Sequence, residues 1–213
     1  MSNSETPLAP HRPGIAASGA RPNLALGLFG GSFDPVHLGH LLVAQAAQEE
    51  LQLARLFFIP AAQSPFKPTQ ESAPAAQRLR LLRLALAGRS EWEIDDQEIR
   101  RGGVSFTIDT VRGYTERFPA ARLFYLIGAD HVPHLSKWRE AEELARLVEF
   151  VVIPRPGEPA LSPPPPFASQ QLKGCPLGVS SSQIRDRIRA GRPVDLLTPP
   201  AVAEAIRNNG LYL

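Results

Sequence analysis

Cysteine is nearly absent from the 213-residue chain: Cys175 stands alone. One cysteine allows neither an intramolecular disulfide nor a zinc site built on cysteines, and Cys175 reads as an inert loop residue. Long apolar runs are missing too; no stretch approaches the length of a membrane span. Charge of one sign is scarce, with 23 Lys and Arg against 21 Asp and Glu, a formal net charge of +2. So small an excess gives no argument for a nucleic-acid partner. The stretch from Met1 to Pro22 is rich in Pro, Ala and Ser but lacks the apolar region of a secretion signal. It is expected to be a flexible extension (1–22) ahead of one folded unit (23–213), in a reducing, cytoplasmic setting. No internal repeat is visible.

Hydrophobic residues make up 43% of the chain, enough for a substantial core. Leu24 to Phe29, Arg55 to Pro60, Leu123 to Ile127 and Glu149 to Ile153 are short apolar runs that read as buried strands. Trp92 to Ile99 reads as an edge strand or extended segment. Helices are expected over Val36–Leu51, with Asp34 as N-cap and Pro35 at the first helical position. Others are expected over Ala75–Ala87, Thr107–Phe118, Lys137–Leu147, Gln183–Ala190 and Pro200–Asn208. Pro154 to Pro166 reads as a proline-rich loop. Arg78, Arg80 and Arg83, with Arg89 just beyond, mark a basic helix whose arginines are expected on a solvated face. Strands alternating with helices imply parallel pairing through right-handed crossovers. The expected fold is therefore α/β: a Rossmann-like, doubly wound, mostly parallel sheet with flanking helices and a small C-terminal helical part. Ligands of such sheets sit beyond the carboxyl ends of the strands, and two of the best strands end in glycine, after Phe29 and after Ile127.

The segment Gly30-Gly31-Ser32-Phe33-Asp34-Pro35-Val36-His37-Leu38-Gly39-His40 carries the strongest chemical signal. Paired glycines let backbone N–H groups approach a phosphate, and the following helix directs its positive end at the same place. His37 and His40, three residues apart, share one face of the first helical turns. An ordinary turn before a capped helix would use the same residues. The glycine spacing is neither that of a dinucleotide fingerprint nor that of a P-loop. Near the other end, Ser180-Ser181-Ser182-Gln183-Ile184-Arg185 offers hydroxyls at a helix start and, one turn in, a forked cation suited to phosphate oxygens.

The first segment resembles the GG(T/S)FDPxHxGH signature of the adenylyltransferases, and the second resembles the (I/V)SS(T/S)xIR motif of the wider nucleotidyltransferase superfamily. Further stretches are similar to bacterial nicotinate-nucleotide adenylyltransferases. Asp95 to Thr110 follows their DxxExxRxGxSYTxDT pattern, with Phe106 for the usual Tyr and Asp96 taken for the leading Asp. Gly128-Ala129-Asp130 with Leu135 and Trp138 follows GADxxxxLxxW, and Pro199 to Tyr212 follows the closing PxxVxxxIxxxxLY. The resemblance implies transfer of AMP from ATP, with its Mg²⁺, to nicotinate mononucleotide. On that pattern, Gly30, Gly31, Ser32 and Phe33 with His37, His40, Lys67, Gly128, Asp130, Ser181, Ser182 and Arg185 would hold ATP. His37, His40 and Arg185 would act on the transferring phosphoryl group. Ser105, Thr107, Asp130, Trp138 and Arg139 would hold the nicotinate nucleotide, Trp138 by stacking on the ring and Thr107 at its carboxylate. Phe66 replaces a common His beside Lys67, and His131 and His134 fall where neutral residues are usual.

Three other readings compete. A phosphopantetheine adenylyltransferase would share both nucleotide motifs. A metal-dependent hydrolase could draw on His37, His40, Asp130, His131 and His134. A non-catalytic module would bind nucleotide without turnover.

Overall fold

The computed structural model describes residues 24–65, 72–157, 160–174 and 177–213. The expected N-terminal extension, Phe66, Lys67 and Cys175 lie outside the described residues. Six strands form one sheet: β1 (Ala25–Gly31), β2 (Arg55–Pro60), β3 (Trp92–Ile94), β4 (Arg122–Gly128), β5 (Glu149–Ile153) and β6 (Ser169–Gln171). Their order is β3-β2-β1-β4-β5-β6, and every pairing is parallel. The doubly wound sheet expected from the alternation of elements is thus present, with β6 as a short edge strand that its polar sequence, Ser-Gln-Gln, did not announce.

Parallel strands are covered on both faces, and these alternate accordingly. Leu26, Leu28, Phe57, Ile59, Leu123, Tyr125 and Ile127 face one layer, which contains α4 (Thr107–Arg117) and α5 (Ala141–Leu147). Phe29, Leu56, Phe58, Phe124 and Leu126 face the other, which contains α1 (Leu38–Glu50), α2 (Ala75–Leu86) and α7 (Pro200–Asn208). A small third cluster of Ile184, Val194 and Ala203 joins α6 (Ser181–Arg189) to α7, the C-terminal helical part. No helix among the described residues is long and apolar enough to cross a membrane.

Three boundaries differ from the sequence expectation. Helix α1 starts at Leu38 behind His37, not behind Asp34; the Asp34–Pro35 peptide is cis, within a turn. The helix expected over Lys137–Leu147 is α5, which starts only at Ala141, and a 3-10 segment, Ala129–Lys137, precedes it. Pro133 lies inside that segment and cannot donate to an α-helical ladder. The stretch from Trp92 to Ile99 divides into β3 and the short α3 (Gln97–Arg101). Strand order reverses between β1 and β4, which are hydrogen-bonded neighbours with Phe29 opposite Leu126. Their carboxyl ends, Gly31 and Gly128, therefore open one crevice at the switch point of the sheet.

Candidate active site

At the end of β1 the chain turns through Ser32 and Phe33 before the cis Asp34–Pro35 step. Phe33 adopts a left-handed backbone, φ 47°, unusual for a bulky residue. Its ring is buried against Phe29 (5.5 Å), Phe58 (5.6 Å) and His40 (5.0 Å). The side chain anchors the turn in the core, so main chain is what this loop can offer a ligand.

His37 and His40 stack with ring centroids 3.7 Å apart. The His37 backbone N–H donates to His40 Nδ1 at 3.2 Å. An accepting Nδ1 carries no proton, so neutral His40 bears its hydrogen on Nε2. Burial pushes His37 down to about 4, and burial together with His37 holds His40 well below the usual histidine range. Both imidazoles are neutral hydrogen-bonding groups near pH 7 rather than the standing cations that a phosphate site suggests. Gly39 lies against His37: a Cβ there would come within 3.0 Å of His37 Nδ1.

Asp34, expected to cap a helix, is instead a buried hub. Its Oδ1 accepts from the Ala73 N–H (3.1 Å) and from the Tyr212 hydroxyl (2.9 Å). Arg185 donates to the Asp34 carbonyl at 2.7 Å and to Ser182 Oγ at 3.2 Å, with the Asp34 carboxylate 3.9 Å away. Ser181 Oγ donates to the Pro35 carbonyl at 2.9 Å. The two sequence motifs, 151 residues apart at the Asp34–Arg185 contact, are therefore joined directly. Ser180 caps α6 through the Gln183 N–H, and Gln183 answers at the Ser180 N–H.

Arg78 departs most from expectation. It is 3% exposed rather than solvated, and its fork donates to the carbonyls of Ser32 (2.8 Å), Ala61 (2.8 Å) and Ala73 (3.1 Å). Arg80, Arg83 and Arg89 are exposed as expected. One guanidinium thus ties the loop after β1 to the end of β2 and the entry to α2. Helical periodicity could place Arg78 beside Leu79, Leu81 and Leu82 but could not show carbonyls waiting for it.

At the end of β4, Gly128 lies against the Asp130 carboxylate, which a Cβ there would push aside. Asp130 pairs with Arg155 at 3.1 Å. Thr107 opens α4, whose N-terminus has no side-chain cap. Its Oγ1 is 3.3 Å from the Tyr125 hydroxyl. Gly30 sits directly over that same hydroxyl, where a Cβ would collide with it. Trp138 is half-buried, and Tyr125 (6.2 Å), Phe150 (6.2 Å) and His131 (5.8 Å) meet it nearly perpendicularly. His131, without an assigned use in the sequence, packs on Trp138; His134 is exposed.

Two further residues expected at the pyridine nucleotide are engaged with the protein itself. Ser105 is buried and accepts from the Ala62 N–H at 3.0 Å. Arg139 lies over Phe106 (4.8 Å) and near Asp109 (3.7 Å) and Glu140 (3.6 Å). In the neighbouring pattern the buried acid is Asp95, not Asp96 as the sequence reading placed it. Asp95 accepts from Tyr114 (2.7 Å), Arg117 (2.7 Å) and Gln97 (3.0 Å). Burial acts to raise its pKa, but these bonds outweigh it and hold the carboxyl below its ordinary range. Glu98, by contrast, is raised by burial while it accepts from Thr110 at 2.6 Å.

The sequence profile of the cytidylyltransferase-like family matches residues 28–187, and with it both motifs that the fold joins. The chain belongs to that family. Among its relatives is the probable nicotinate-nucleotide adenylyltransferase of Opitutus terrae, 40% identical over 191 residues, 89% of this chain and 98% of that one. A protein of the same name from Thermus thermophilus is 40% identical over 189 residues, 89% and 100% of the two chains. These relatives place the chain among the nicotinate-nucleotide adenylyltransferases of the family. In fold, the chain is similar to Plasmodium falciparum nicotinic acid mononucleotide adenylyltransferase, solved with NaAD. The TM-score is 0.72 at 17% identity, covering 89% of this chain and 97% of that one. Nor does the hydrolase reading find its ligand set: among the described residues, no three His, Cys, Asp or Glu gather where they could hold a metal ion.

Proposed function

We propose that the chain transfers AMP from ATP to nicotinate mononucleotide, giving nicotinate adenine dinucleotide and pyrophosphate, a step of NAD biosynthesis. One observation carries the reading: the HxGH and SSSxIR segments meet through Arg185–Asp34 and Ser181–Pro35 at the crevice between β1 and β4. A phosphate oxygen of the mononucleotide attacks the α-phosphorus of ATP in line, and the bond to the β-phosphate breaks. That oxygen is already anionic near neutral pH, so no general base is required. What remains is alignment and stabilisation of charge on the transferring group.

The turn from Gly30 to Phe33 lies under the triphosphate, with the N-terminus of α1 aimed at it. His40 donates from Nε2 to a phosphate oxygen, and His37 assists. An arriving phosphate charge favours protonation of His37, while His40, whose Nδ1 already accepts from the His37 N–H, acts as a neutral donor. Arg185, with Ser181 and Ser182, closes the ATP end, and Lys67 meets phosphate. Gly128 and Asp130 lie between the two substrates. Trp138 stacks on the pyridine ring while Thr107 and the first N–H groups of α4 hold its carboxylate; Ser105 and Arg139 support that wall. Mg²⁺ enters with ATP as part of the substrate, held mainly by phosphates and water. The unit 23–213 works on soluble substrates in the cytoplasm.

Pyrophosphate release from ATP with nicotinate mononucleotide, nicotinamide mononucleotide and phosphopantetheine as separate acceptors tests this. Turnover is expected with the pyridine nucleotides and best with the acid. Turnover with phosphopantetheine alone, or with none of the three, would overturn it.

A further inference from the structure

We infer that the Tyr125 hydroxyl sets the direction in which Thr107 can donate, and so favours a carboxylate over a carboxamide on the pyridine ring. This rests on the function proposed above and names a determinant of its substrate choice.

The Tyr125 side chain belongs to the core of the β4 layer, and its hydroxyl has one hydrogen-bond partner among the described residues, Thr107 Oγ1 at 3.3 Å. Thr107 is only half-buried. Either oxygen could donate across such a pair, but the two choices are unequal. If Thr107 donated, the buried phenolic hydrogen would be left without an acceptor, which folded proteins avoid. If Tyr125 donates, every buried group is satisfied and the Thr107 hydrogen can turn outward. Burial, with Glu98 nearby, raises the Tyr125 pKa, so the phenol keeps its hydrogen throughout the working range. Gly30 leaves room for this hydroxyl, since any Cβ there would displace it.

A Thr107 hydroxyl that accepts from Tyr125 keeps its hydrogen for the ligand and has one lone pair left. Beside it lie the first N–H groups of α4, which has no side-chain cap, so this wall is richer in donors than in acceptors. A carboxylate accepts at both oxygens and matches in either orientation. A carboxamide has one accepting oxygen and one NH₂ group, and that NH₂ meets more donors than acceptors here. Without Tyr125 both Thr107 lone pairs would be open to that NH₂, and the amide would be tolerated better.

The experiment compares wild type, Tyr125→Phe, Thr107→Val and the double variant. It measures kcat and KM for nicotinate mononucleotide, nicotinamide mononucleotide and ATP, with thermal melts alongside. In Tyr125→Phe, the ratio of kcat/KM for acid over amide is expected to fall roughly fivefold, one hydrogen bond's worth. The change should lie in KM for the pyridine nucleotides, with the KM for ATP unchanged. In the Thr107→Val background, Tyr125→Phe should have no further effect on the ratio. An unchanged ratio in Tyr125→Phe overturns the inference, as does an equal fall in both backgrounds or equal losses for all three substrates. A wild type that discriminates between acid and amide, beside a Tyr125→Phe variant that does so equally, sinks this inference alone. A wild type that adenylylates neither sinks the functional reading and this inference with it.

Discussion

At the end of the site proposed for phosphate, the groups that fix the structure bind main chain across long sequence separations. Arg78 holds three carbonyls, Arg185 holds the Asp34 carbonyl, and Ser181 holds the Pro35 carbonyl. At the pyridine end, side chains hold side chains: Tyr125 meets Thr107, and three rings stand across Trp138. The first arrangement determines where backbone donors lie and tolerates little change. The second shapes a wall that can be altered one contact at a time. Variants at the two ends should therefore fail differently, one through stability and turnover, the other through affinity for one substrate.

The largest effect is expected from Arg78→Met, which keeps much of the side chain's bulk but leaves three partly buried carbonyls without their donor. A loss of about 4 kcal/mol in unfolding free energy is expected, as for breaking one side of a buried polar network. Urea titration of purified protein measures it. A loss below about 1 kcal/mol would mean that other donors reach those carbonyls, and the contrast between the two ends would weaken.

His40→Ala comes next. If His40 donates to a transition-state phosphoryl oxygen as proposed, its removal should lower kcat roughly a hundredfold or more. KM for both substrates should change little. Steady-state kinetics with unchanged turnover would show that the stacked pair serves only to shape the start of α1.

A third expectation concerns the same pair and acid. His37 has a folded-state pKa near 4, below its ordinary value of 6.5. Between those values the unfolded chain binds more protons than the folded one, so stability rises with pH across that window and is lost as pH falls. From about pH 7.5 to about pH 5 this group alone should remove about 2 kcal/mol, with His40 acting in the same direction. Melts of wild type and His37→Gln at both pH values test the sign: the variant should lose distinctly less.

These residues also show where sequence was informative and where it was not. Both motifs are contiguous, so their residue types and spacing marked a candidate site before any fold was known. The parallel sheet followed from strand–helix alternation, and α7 lies where it was expected, over Pro200–Asn208. Long-range partners were invisible. Asp34 before Pro35 has the local look of a cap, but its carboxylate is taken by Ala73 and Tyr212, 39 and 178 residues away. Tyr125 read only as one apolar letter of a buried strand, because nothing local reveals that its hydroxyl meets Thr107. Asp95 and Asp96 are adjacent and chemically alike; only burial separates them.

The smallest effect belongs to the pyridine end. Trp138→Ala removes a ring whose plane is fixed by Tyr125, Phe150 and His131. Loss of one aromatic stacking partner typically costs about 1–3 kcal/mol in binding a flat base. KM for nicotinate mononucleotide should therefore rise roughly tenfold while KM for ATP stays put, and Trp138→Phe should recover part of the loss. Trp138 also packs against the apolar layer below β4, so some loss of stability accompanies the alanine variant and must be measured separately. Stability alone cannot produce a split between the two substrates. If both KM values rise together, the ring is a packing element of the wall, and the pyridine finds its platform elsewhere.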